Sequence, residues 1–122
     1  KKNIDFQIDD LVFKPISYMH HKLQVFGYRI MNFAYVTDLK TIKNKELEKL
    51  MNLDCLVLNS LRHKEHYSHI NLNQALELIK LLKPKETYLT HIAPDMGFHV
   101  ETEKLLPENV YLAYDGLQIQ VD

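Results

Sequence analysis

The chain has 122 residues, room for one domain with a modest core. Hydrophobic residues at 46% and charged residues at 25% exclude a disordered chain, and a formal net charge of −1 excludes nucleic-acid binding by bulk electrostatics. No apolar run approaches the roughly 20 residues of a membrane helix, and one cysteine, Cys55, excludes an internal disulfide, so a reducing cytoplasm is the expected compartment.

Residues 4–8 alternate apolar and polar, the period of a strand. Asp9-Asp10 is a turn signal, and residues 11–18 read as a second strand, with Pro15 placing it at an edge or bulge. The polar run Met19-His20-His21-Lys22 ends it. Residues 25–31 and 33–37 read as strands joined at Asn32 in a hairpin, with Asp38 directly after. Asn44 is placed to cap a helix whose apolar side is Leu47, Leu50 and Met51, and whose solvated side is Lys45, Glu46, Glu48 and Lys49. Residues 56–58 form an apolar strand core, and Cys55 next to it in the same apolar segment reads as a small buried hydrophobe. After the histidine-rich loop 61–69, Asn71 or Asn73 caps a second helix with Leu72, Ala75, Leu76, Leu78, Ile79 and Leu82 inside, and Pro84 stops it. Residues 86–89 form a strand ending in Thr90-His91. A short helix near 99–105 follows, stopped by Pro107. Residues 110–114 and 117–121 flank the two-residue turn Asp115-Gly116. Strands come first and helices alternate with strands afterwards, which predicts an α/β unit with an antiparallel start.

Seven histidines is a high count, and three of them, His63, His66 and His69, recur at a spacing of three. That spacing does not match a helical zinc pair, and no cysteine pair completes a zinc finger. A solvated loop carries such a run as readily. His20, Asp38, the histidine loop and His91 share a different property: each stands at or just after the end of a strand. If those strands lie side by side, all four open at one edge of the sheet, the edge at which sites collect in open α/β folds. Imidazole and carboxylate are the ligand set of zinc and related divalent ions. Read singly, a histidine at a strand end is an ordinary surface residue, and Asp38 can serve as a turn or cap residue. No glycine-rich phosphate loop and no nucleophile elbow is present.

The pieces Tyr18-Met19-His20, Gly27-Tyr28-Arg29-Ile30, Phe33-Ala34-Tyr35-Val36-Thr37-Asp38, the loop 61–69 with Asn71-Leu72, Tyr88-Leu89-Thr90-His91-Ile92, and Ala113-Tyr114-Asp115-Gly116-Leu117 stand in the order and spacing of a known family. They resemble the second half of a metallo-β-lactamase-fold hydrolase, in the subgroup of phosphonate-pathway cyclic phosphodiesterases. The resemblance runs from about residue 11 onward. It implies an α/β fold (α+β by some schemes), a mixed sheet with helices on one face, forming the C-terminal half of an αββα sandwich. Residues 1–122 are then a single domain, expected to be a fragment.

The same resemblance implies the roles. His20, Asp38 and His91 would be metal ligands, Asp38 bridging two ions of Zn or Mn. His69 would be the proton donor, with His66 and Arg62 contacting an anionic substrate. The parent would hydrolyse phosphodiesters, of the cyclic phosphate type, through a metal-bound hydroxide. The family's His-x-His-x-Asp-His motif is absent, and Pro94 stands where many relatives carry a further polar residue. With three ligands at most, the chain alone is expected to be inactive. Half a sandwich also leaves a sheet face uncovered, so a homo-oligomer that covers it is expected, with no nucleic acid and no membrane as partners. The competing expectation is a non-catalytic α/β interaction or assembly domain with surface histidines.

Overall fold

A computed structural model of the chain describes residues 3–20, 22–37, 39–59, 72–90 and 106–112. Its first half is a meander. Strand β1 (Phe6–Ile8) pairs antiparallel with β2 (Leu11–His20), β2 with β3 (Leu23–Ile30), and β3 with β4 (Phe33–Val36). Each connection spans two residues, and such hairpins call for left-handed backbone. Asp9 (φ 53°) and Met31 (φ 54°) supply it. Methionine is a poor fit for that region, and Arg29 offsets the cost. Its Nε donates to the Met31 carbonyl at 2.7 Å and its Nη2 to Asn32 Oδ1 at 2.8 Å.

From β4 onward the chain changes mode. Helix α1 (Asn44–Leu47), extended by a 3-10 turn over Glu48–Leu50, leads to β5 (Cys55–Asn59). Helix α2 (Leu72–Leu82) leads to β6 (Glu86–Thr90), and β7 (Val110–Leu112) completes the sheet. Strands β4 to β7 are mutually parallel, and the seven strands lie in chain order. The mixed sheet and the fold class are as the sequence predicts.

Period-2 alternation puts one side of every strand into the core. Val36, Leu58, Leu89 and Leu112 pair in register as one buried row, and Ala34, Leu56, Thr87 and Val110 as the next. Ala75, Ile79 and Leu82 of α2 and Leu50 and Leu53 after α1 join the same cluster, so both helices cover this face. Thr87 is the anomaly: it is fully buried, and its hydroxyl has no hydrogen-bond partner among the described residues.

Three local expectations need correcting. Strand β2 runs to His20 rather than stopping at Tyr18, because Leu23 of β3 pairs with His20. Asn44 does not cap α1. It is the first helical residue, and Lys43 occupies the cap position without a side-chain bond, its carbonyl accepting from the Glu46 and Leu47 amides. Glu46 and Lys49 are not on a solvated face. Glu46 is 5% exposed, and its Oε1 accepts from the Ser17 amide (2.7 Å), Asn3 Nδ2 (3.1 Å) and Lys49 Nζ (3.1 Å). Lys49 Nζ also donates to the Pro15 carbonyl at 3.0 Å. The reason is that β1 pairs only with residues 11–13 of β2. Beyond them β2 has a bare edge, and bare edges invite pairing with other chains. The ion pair satisfies the amide and carbonyl that a neighbouring strand would have taken. Pro15, which lacks an N–H, turns its carbonyl to this edge and costs the β2–β3 ladder nothing. Among the described residues no helix is long and apolar enough to cross a membrane.

Candidate metal-site edge of the sheet

Strand direction decides which residues can meet. Strand β2 runs antiparallel to β3, and β3 antiparallel to β4, so β2 and β4 run the same way. Strands β5, β6 and β7 run parallel to β4. The C-terminal ends of β2, β4, β5 and β6 therefore open at one edge, as the sequence reading required. His20 is the last residue of β2. It is half-buried, and its Nδ1 is withdrawn from solvent. Asp38 stands two residues after the end of β4, and His91 follows β6 directly. Asp38, His91, Arg62, His66 and His69 lie outside the described residues, as do Asn71 and the predicted helix near 99–105, the end of the predicted strand 110–114, the strand 117–121 and the Asp115-Gly116 turn. Among the described residues no three His, Cys, Asp or Glu side chains cluster as a metal site. Of a divalent ion's ligands the described residues offer one, a strand-end imidazole whose Nδ1 is shielded from water, and that donor type suits such an ion.

Sequence reasoning missed how this edge is held. Inward positions of β2 are Ile16, Tyr18 and His20, so Tyr18 precedes His20 on the same face. Its ring lies across β3 at Gly27. A Cβ there would stand 2.6 Å from the Tyr35 carbonyl oxygen, closer than real Cβ atoms come, and would crowd the Tyr18 ring and hydroxyl at 3.1 Å, so the position calls for glycine. Beyond Gly27 the Tyr18 hydroxyl donates to the Thr37 carbonyl at 2.6 Å and accepts from the Thr37 amide at 3.1 Å. Met19 holds the chain farther on: its amide donates to the Thr41 carbonyl at 2.8 Å, and its carbonyl accepts from the Lys40 amide at 2.7 Å. Leu39, between these anchors, is 1% exposed. The only sequence signal was a tyrosine two positions before a candidate ligand, with a glycine in the next strand.

Other functional groups sit elsewhere. Arg29 Nη1 donates to the Lys49 (2.9 Å) and Met51 (2.6 Å) carbonyls, capping the end of the 3-10 turn. Burial lowers its pKa, with nearby Asp54 acting the other way. Cys55 is buried, and burial together with Glu86 pushes its thiol up to about 11, so it is protonated near neutrality. A cavity of about 530 Å³ opens beside the bare edge of β2, with Asn3, Ser17, Lys22, Gln24 and Lys45 among its walls.

Comparison with known proteins bears on the whole chain. Residues 1–92 match the beta-lactamase superfamily domain family. A solved diphosphatase from the PhnP family superposes on all of this chain with a TM-score of 0.96 and 35% identity, and the match covers 48% of that protein. The metallo-beta-lactamase fold protein YhfI from Bacillus subtilis (TM-score 0.76, 17% identity, 96% of this chain, 52% of that one) and the short form of human tRNase Z (0.73, 17%, 96% and 46%) share the fold. A curated relative from Porphyromonas gingivalis named octanoyltransferase is 36% identical over the full chain, which covers 25% of its length. The chain thus spans about half of the solved relatives and a quarter of that curated one.

Proposed function

The chain belongs to the metallo-β-lactamase fold superfamily, in its PhnP-like branch, and on that footing we propose that it carries one half of the active site of a metal-dependent hydrolase of phosphodiesters. The observation that carries the reading is the superposition on a PhnP-family diphosphatase across every residue of this chain. A diphosphatase breaks a P–O bond flanked by anionic oxygens, and a cyclic or linear phosphodiester presents the same kind of centre.

In this reading His20, Asp38 and His91 would be the ligands this chain gives to a divalent centre of Zn or Mn. The metal, when bound, lowers the pKa of a water toward about 7 and neutralises charge on the phosphoryl oxygens. Arg62 and His66 bind the anionic oxygens of the substrate, and His69 delivers a proton to the leaving oxygen. The remaining ligands come from the other half of the αββα sandwich. Residues 1–122 alone are inactive and cover their open sheet face by pairing with a second copy. A lone free thiol suits a cytoplasmic setting.

His69→Ala in the full-length protein is expected to lower turnover of a phosphodiester such as bis-p-nitrophenyl phosphate by about 10²–10⁴-fold. Metal content, measured in the same samples, is expected to stay at the wild-type level. Loss of metal would make His69 a ligand and overturn its assignment.

One observation favours a second reading. In the relative named octanoyltransferase, the segment similar to this chain is a quarter of the length, which suits a non-catalytic interaction or assembly domain attached to another activity. Divalent-metal-dependent phosphodiesterase activity in the longer protein separates the two: its presence supports hydrolysis, and its absence from a metal-loaded preparation supports the module.

A further inference from the structure

We propose that Tyr18 is a positioning residue that sets the place of Asp38 relative to His20. The proposal rests on the reading of His20 and Asp38 as metal ligands and adds the device that holds them in register. Three consecutive residues of β2 share the work. His20 is one ligand. Tyr18 holds the backbone of Thr37, the residue before Asp38, by both its N–H and its carbonyl. Met19 holds Lys40 and Thr41, beyond Asp38, through its own backbone. The described residues on either side of Asp38, Thr37 before it and Lys40 with Thr41 after it, are thus bonded to the two residues that precede His20, and Leu39 is buried between the anchors.

Three features set this apart from ordinary packing. Strand β3 separates β2 from β4, so among the described residues the only backbone pairing between the end of β2 and the chain leaving β4 is the Met19–Thr41 bridge, which lies beyond Asp38. The tyrosine reaches across that strand over Gly27, where a Cβ would crowd its ring and hydroxyl at 3.1 Å. And the hydroxyl spends its donor and an acceptor lone pair on one peptide segment at the point where the chain leaves β4. An aliphatic residue would fill the core as well but could not hold that backbone. Partners that orient the ligands of a metal commonly change its affinity without touching it.

The test is Tyr18→Phe in the full-length protein, which keeps the ring over Gly27 and removes only the oxygen. Metal affinity, measured by competition with a chelator, is expected to fall by about tenfold or more, and the cobalt(II)-substituted protein is expected to show an altered absorption band. Hydrogen exchange at the Thr37 amide is expected to accelerate while Leu58 and Leu89 keep their protection. A purely structural role would lower the unfolding midpoint and leave the affinity and the cobalt band of the folded protein as in wild type, and that outcome overturns the proposal. Asp38→Ala in parallel separates the two levels. If it loses metal while Tyr18→Phe binds as wild type, the positioning role falls and the ligand reading stands. If Asp38→Ala keeps its metal, the ligand reading falls and the positioning role with it. The wild-type protein gives a check that needs no variant: a Thr37 amide as protected as the core supports the clamp, and one that exchanges like an unstructured amide refutes it.

Discussion

The two faces of the sheet are built from different materials. The helix-covered face is aliphatic: Val36, Leu58, Leu89 and Leu112 meet in one row with almost no exposed surface. The opposite face is aromatic. Phe6 stacks on Phe13 at 5.1 Å, Tyr28 meets Phe6 edge-on at 5.7 Å, and Tyr88 tilts against Tyr111 at 5.4 Å. Phe6 is 41% exposed and Tyr35 47%. The hydroxyl of Tyr88 donates to Glu86 at 3.0 Å, and burial, then Glu86, pushes that phenol up to about 12. The first face is finished by the chain's own helices. The second carries large side chains that, among the described residues, no helix covers, the composition of a surface meant to be covered.

Substitution tests this contrast most strongly at the centre of each face. Leu58→Ala should cost about 2–5 kcal/mol in urea unfolding, since the packed row cannot close over the lost volume. Tyr35→Lys should change the stability of the chain by no more than about 0.5 kcal/mol but shift light scattering from dimer toward monomer. A Tyr35 variant as destabilised as the Leu58 variant, or a wild-type chain that is a monomer, would erase the difference between the faces.

The edge between them is tested next. Glu46→Ala leaves the Ser17 amide and the Lys49 ammonium without their carboxylate, at a cost of about 1–3 kcal/mol. Burial alone would raise the Glu46 pKa, but the bonds from Ser17, then Lys49 and Asn3, outweigh it and hold the carboxyl below the usual range. The sign follows. A depressed folded-state pKa contributes stability above the unfolded value of about 4.3, and that contribution is lost as pH falls through the lower, folded value. Acid unfolding of Glu46→Gln should therefore show a weaker pH dependence below about 4.3 than wild type.

The smallest effect belongs to Thr87. Its hydroxyl sits in an aliphatic row with no partner among the described residues, so Thr87→Val should be neutral or gain up to about 1 kcal/mol. A loss greater than that would mean that the hydroxyl makes a bond this account omits.

What the sequence disclosed follows the same division. Alternation over residues 4–8, the Asp9-Asp10 turn and the apolar character of residues 11–18 and 25–31 made the strands legible. The shared edge was legible as well, because a run of antiparallel strands followed by βαβ units leaves few ways to orient the ends. Glu46 was not legible. A glutamate and a lysine three residues apart on a short helix read as a solvated pair, and only the early end of β1 turns them into a cap for a strand. Tyr18 was illegible for a related reason: its function depends on a glycine on the next strand and a backbone two strands away, which no local pattern encodes. The boundary of β2 was misplaced because its last residues are polar, and pairing with Leu23 overrode propensity.

The central claim is that the edge where β2, β4 and β6 end is half of a divalent-metal site. Metal analysis of the full-length protein carrying His20→Ala tests it most directly. The variant is expected to fold, with an unfolding midpoint close to wild type, and to hold less bound metal per chain than wild type. A folded His20→Ala protein with the full wild-type metal content would contradict it.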